Sequence, residues 1–182
     1  MRAVAAVAFL LVFPLLGTAD DKPVKVKIGK LSAEAPAVWK TEKVANRLRS
    51  FQFKLFGEKG GPGDAELIVL PESEPKVEKV FPRWRATFVP PEGKTADDVG
   101  KASKIQGVKG ARIDVFDAYG TWKYKERPFD PKSKEELKDD FRVVWVIVLD
   151  EEMEATHLRI SGPKETVDKY YPGFEKFIKS LK

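Results

Sequence analysis

The chain holds a single histidine, His157, and no cysteine. Those two facts remove most nucleophilic chemistry before any element is placed. Without cysteine there is no thiolate nucleophile, no cysteine metal site and no disulfide. A serine triad would have to be built on His157, yet no serine, Ser161 included, sits in a Gly-x-Ser-x-Gly turn. Imidazole metal centres usually use more than one ring, so no metal site is expected. Carboxylates remain, because two acids roughly 5–9.5 Å apart could cleave a glycoside. The densest acids are Asp139-Asp140 and the run Asp150-Glu151-Glu152-Met153-Glu154. Both fall at strand ends and read as solvated turns. The second run lacks the alternating Asp/Asn and Gly of a calcium loop. The glycines of 57–64 (GEKGGPGD) have no Gly-Lys-Ser/Thr ending and precede a strand, so they form no phosphate loop. No cofactor is expected.

Trp122, Tyr124, Lys125 and Arg127 offer recognition rather than bond-making. The two rings alternate with Thr121, Lys123 and Lys125 and run into a polar stretch with Pro128 and Pro131. Aromatic rings and cations of this kind stack on sugars or anchor protein interfaces. They can equally tie a loop to a sheet. Residues 122–140 are expected to form one long loop, and loops longer than about 12–15 residues are uncommon unless functional or disordered. These four residues are therefore the candidate binding residues. Trp39, Trp84 and Trp145 sit in apolar surroundings and read as core.

The elements that must position them follow from periodicity. Alternation predicts strands at 24–28, 49–55, 65–70, 101–108, 111–119 and 155–160. The run 141–149 is nearly all apolar and β-branched, as in a central strand covered on both faces. Residues 29–47 read as a loop that packs down through Pro36 and Trp39. Val77, Val80, Phe81, Trp84 and Phe88 recur at helical spacing, so a helix is expected within 74–88, disturbed by Pro82. Ser133 and Glu136 fit a capping box and predict a short helix at 133–139. Thr156, Leu158 and Ile160 take one face of their strand, His157 and Arg159 the other. Gly162-Pro163 is expected to break that strand. Val167, Tyr170, Tyr171, Phe174, Phe177, Ile178 and Leu181 then form a helical stripe, kinked or broken at Pro172-Gly173. This stripe is expected to cover the sheet at Val143, Trp145 and Ile147. Strands and helices do not alternate as βαβ units, which favours an α+β fold: a mainly antiparallel β-sheet flanked by helices.

The first nineteen residues belong to a different class. Arg2 precedes an apolar run over 3–16, and Gly17-Thr18-Ala19 offers small residues at both ends of a cleavage site. This is the layout of a secretory signal peptide cut after Ala19. The run falls short of the roughly 20 residues that span a bilayer, so no stable membrane span is expected after cleavage. Residues 20–182 then form a single domain, exported to the periplasm or the exterior. The full chain's 33 basic and 28 acidic residues give a net charge of +5. Lysines and acids are interleaved rather than clustered, which argues against a nucleic-acid surface.

Several segments carry a resemblance. They are Phe51-Gln52-Phe53, Ala65-Glu66-Leu67-Ile68-Val69, Trp84 with Phe88, Asp114-Val115 with Gly120-Thr121, and Leu158-Arg159-Ile160-Ser161-Gly162-Pro163 before an aromatic helix. On these the chain resembles a group of exported proteins of bacteria such as planctomycetes and myxobacteria, over most of residues 36–182. The group is in turn similar to the PsbP/Mog-like fold, an antiparallel sheet flanked by helices. Members of that wider fold serve in photosystem assembly and in binding a small GTPase. The resemblance implies a binding module rather than an enzyme, and it carries over no functional residue. The expected function is thus a non-catalytic exported binding or assembly module for a protein or envelope ligand. The alternative is a carboxylate-dependent hydrolase acting on envelope glycans.

Overall fold

The computed structural model describes residues 23–126 and 130–182; the expected signal segment and Arg127 lie outside the described residues. A small hairpin comes first, β1 (Lys25–Ile28) with β2 (Leu31–Glu34). The main sheet then takes β3 (Lys40–Thr41), β4 (Phe51–Leu55) and β5 (Ala65–Leu70). Helix α1 (Val77–Ala86) follows, then β6 (Lys101–Ile105), β7 (Ala111–Lys125), β8 (Glu135–Asp150), β9 (Ala155–Pro163) and α2 (Lys164–Lys179). The main sheet has the order β3-β4-β5-β9-β8-β7-β6, and every neighbouring pair is antiparallel. The fold is α+β, with two antiparallel sheets and two helices, as the sequence led us to expect. Among the described residues no helix is long and apolar enough to cross a membrane.

Each face of the main sheet has its own cover. On the first face Leu67, Val69, Val144, Val146, Val148, Leu158 and Ile160 pack against Val167, Phe174, Phe177 and Ile178 of α2. Val26 and Ile28 of the small hairpin and Trp39 complete this core. On the second face Phe116, Val143 and Trp145 meet Phe88 and the half-buried Phe81 and Trp84 of α1. Ile147 and Leu149 lie on the same side, against Val80. Helix α2 therefore covers the face opposite to the expected one. Both faces of β8 are apolar, so the sequence holds no signal for which parity meets which helix.

Other expectations need correction as well. No helix forms at 133–139: β8 begins at Glu135 and pairs with β7 from Lys125↔Glu135 to Trp122↔Lys138. The expected long loop is mostly a two-stranded arm. Strand β9 does not break at Gly162 but runs through Pro163 directly into α2, which continues through Pro172 and Gly173. Helix α1 likewise contains Pro82. Within 29–47 the chain forms β2 and β3. After β8 the acids Glu151, Glu152 and Glu154 form an exposed turn, as expected, and only Asp150 departs from the solvated reading. Asp150 is buried, and its carboxylate accepts the backbone N–H groups of Glu152 and Glu154, both at 3.0 Å, which shapes the β8–β9 turn.

Arg142 ties α2 to the sheet. Its Nε and Nη2 donate to the two Asp117 oxygens at 3.0 and 2.6 Å, and Nη1 donates to Asp168 at 2.7 Å. The guanidinium also lies 4.3 Å from the Tyr171 ring centre.

His157 sits on the second face beneath α1, edge-on to Trp84 with ring centres 5.4 Å apart. Its Nε2–H donates to the Glu74 carbonyl at 2.8 Å. Burial pushes the His157 pKa down, and the Glu74 contact opposes this only in part. The unfolded chain then binds the proton more readily than the folded one below about pH 6.5. Stability contributed by neutral His157 is therefore fully present above that pH and is lost as pH falls toward the folded pKa. Urea midpoints measured from pH 7.5 to 5 should decline, and His157→Gln should remove that part of the slope. An unchanged slope in the variant would show that His157 does not titrate in this way.

Candidate binding groove

Helix α1 covers the second face over β7, β8 and the Ala155–His157 end of β9. Beyond His157, across β9, β5 and β4, the same face carries mostly polar side chains and no helix covers it. The register aligns Trp145 with Arg159, Arg159 with Ile68, and Ile68 with Gln52. The next row aligns Val143 with Ser161, Ser161 with Glu66, and Glu66 with Lys54. The arm of β7 and β8 rises at one side of these rows. Between them lies a groove of about 320 Å³, lined by Trp122, Tyr124, Phe141 and Lys138 on one wall. Arg159, Glu66, Lys54, Asp64 and Glu42 line the rest. A smaller cavity of about 60 Å³ beside Trp39 has room for little more than water.

A β-bulge builds the aromatic wall. The pairing steps from Gly120↔Phe141 to Trp122↔Lys138, so Asp139 and Asp140 together face Thr121. Asp140 takes a positive φ of 55°, a conformation that Asp tolerates better than most residues. Asp139 accepts the Thr121 hydroxyl at 2.6 Å. The extra residue reverses the parity of β8 at its start and brings Lys138 to the same face as Phe141. The Lys138 ammonium lies 4.5 Å from the Tyr124 ring centre and 5.8 Å from that of Phe141. The Asp139-Asp140 pair thus shapes the wall.

The floor is a charge network. Glu66 accepts Arg49 Nη1 on one oxygen at 2.6 Å and Arg159 Nη2 on the other at 3.0 Å. Arg49 Nη1 also donates to Gln52 Oε1 at 2.8 Å, and Gln52 Nε2 donates to Glu42 at 3.2 Å. Lys54 pairs with Asp64 at 2.9 Å and holds that carboxyl below the usual range, helped by the Gly57 N–H. Burial and the Glu66 charge push the Tyr124 phenol up, so it remains protonated. The Arg159 guanidinium lies 5.4 Å from the Trp122 ring centre. Two buried donors, Arg159 Nε and Trp122 Nε1, have no hydrogen-bond partner among the described residues.

Of the four candidate residues, Trp122 and Tyr124 reach the groove. Trp122 is only 6% exposed and packs against Phe141, Tyr124 and Arg159, so it forms the wall's base rather than a free stacking platform. Lys125 pairs across the arm with Glu135 at 3.8 Å, outside the groove lining. Arg127 lies outside the described residues. Sequence reasoning missed Arg159, Glu66, Lys54 and Lys138. The usable signal was a charge set inside an apolar strand: Glu66 within β5 and Arg159 within β9. Among the described residues no three acids or histidines gather as a metal site.

Comparison with protein-family models finds no match. Comparison with curated proteins finds none either. Among solved structures the chain is similar to the solution structure of cyanobacterial PsbP (CyanoP) from Synechocystis sp. PCC 6803. The identity is 10% and the TM-score 0.47, over 94% of this chain and 96% of that one.

Proposed function

We propose that the protein is an exported, non-catalytic binding or assembly module, and that it belongs with the exported bacterial proteins whose motifs it resembles. Its partner is a protein or ligand of the envelope or exterior, and the groove is the recognition surface. The observation that supports this most is the pairing of an aromatic wall with a pre-set charged floor on the open half of the sheet. Tyrosine and arginine are the types that concentrate binding energy at interfaces, and here a sheet rather than a mobile loop holds them. Glu66, the acid at the centre of the floor, has both oxygens engaged by arginines. That arrangement suits positioning better than attack on a substrate.

A photo-crosslinking residue in place of Tyr124 tests the reading. The expected result is a discrete adduct in the envelope fraction, absent when the same residue replaces the exposed Met153 at the β8–β9 turn. The same adducts from both positions, or none from Tyr124, would remove the groove from the recognition surface.

A further inference from the structure

The floor of the groove holds donors that it does not satisfy. Arg49 and Arg159, with side chains 15% and 18% exposed, share the single carboxylate of Glu66. The two guanidiniums have one directly bonded carboxylate between them, and Glu42 is joined to Arg49 only through Gln52; largely buried charges are costly unless paired. Burial pulls the Arg159 pKa down and the neighbouring Arg49 charge adds to this, against the attraction of Glu66. Arg159 Nε is without an acceptor. The Trp122 indole N–H is also without an acceptor, on a side chain more than nine-tenths buried in the groove lining, and the Arg159 guanidinium lies over its ring. Lys138, paired with Glu136 at 3.5 Å, lies on the aromatic wall over Tyr124. What these two unpartnered donors lack is acceptor oxygen, and beside two guanidiniums that share Glu66, a carboxylate is the acceptor that suits them.

We propose that the groove seats a single carboxylate, the Asp or Glu side chain of a peptide segment in a partner protein, on Arg159 and the Trp122 indole N–H. This rests on the binding reading above and names its ligand. A guanidinium presents its donors as a planar fork that matches a carboxylate. Glu42 and Asp64 line the same groove, so a polyanion that repeats its charge along the groove is repelled. A peptide with one isolated acid is not. Tyr124 and Phe141 supply apolar contact for the residues beside that acid.

The test is an NMR titration of the full chain with two blocked pentapeptides. One carries a central glutamate between small neutral residues, the other glutamine in its place. The Trp122 indole N–H is assigned by its loss in Trp122→Phe, and the Arg159 Nε–H is followed with it. The glutamate peptide should move both resonances saturably, and the glutamine peptide should bind at least about tenfold more weakly. Arg159→Lys keeps the charge but loses the fork, and should weaken the glutamate peptide by a similar factor. Lys138→Met, at the wall, leaves the floor network intact and should give a smaller loss, whether or not the Arg159 variant folds. Equal responses to the two peptides would overturn the carboxylate while leaving the groove a binding site. No response to either would overturn it too, and the Tyr124 crosslink would then decide the binding reading separately. Tighter binding of inorganic phosphate or of an oligogalacturonate than of the glutamate peptide would overturn the peptide assignment.

Discussion

Phe174→Ala should lower the melting temperature by about 10–15 °C. The ring is 1% exposed and sits between Trp39 and Tyr171, with ring centres 6.5 and 6.4 Å away. Truncating a buried Phe costs roughly 3–5 kcal/mol, from lost transfer energy and from the cavity left behind. In a domain of this size each kcal/mol is worth about 2–4 °C. The neighbours cannot collapse into the hole, because Trp39 is also fixed against Phe53 and Phe177 at 5.8 and 5.2 Å. Circular dichroism melting measures the effect. A shift of a degree or two would mean that α2 does not form part of the core.

Trp145→Ala should cost about as much, on the opposite face. Trp145 stacks on Trp84 with ring centres 5.2 Å apart and planes within 6°. It also meets Phe116 at 5.9 Å and Phe88 at 6.4 Å. It therefore joins α1, β7 and the segment after α1 into one layer. A loss of roughly 3–5 kcal/mol is expected from denaturant midpoints. A double-mutant cycle with Trp84→Ala should return a coupling of about 0.5–1.5 kcal/mol for the stacked pair. Strictly additive losses would mean that the two rings do not pack on each other in solution.

How much of this was legible in the sequence depends on where each residue finds its partner. The α2 stripe is written in local spacing: Val167, Phe174, Phe177, Ile178 and Leu181 are all buried, and Glu165, Lys169 and Lys176 between them face water. The parity of β8 is not written anywhere, because Val143 and Val144 are equally apolar and only the opposing helices tell them apart. Residues 135–140 are charged except for Leu137 and locally resemble a helix start. They become strand because β7 offers them a ladder, and context of that kind outweighs intrinsic preference. Trp122 and Tyr124 could be singled out, since aromatic residues beside lysines are conspicuous in one stretch of chain. Glu66 and Arg159 could not be paired, because they lie 93 residues apart and meet only through the β5–β9 register.

That register also governs the order in which the molecule can assemble. Strand β5 has β4 on one side and β9 on the other, and β9 is the last strand made. Until it arrives, β3, β4 and β5 amount to little more than a hairpin, and isolated hairpins are marginal in water. Their apolar side chains also wait for α2, which follows β9. Closing contacts across so much chain is slow, on the order of milliseconds to seconds for sheet-dominated topologies. The segment from β3 to β5 therefore leaves the ribosome without a stable structure and stays in that state until β9 and α2 have been made. A chain held open for that long can be threaded end-first through a narrow pore before it folds.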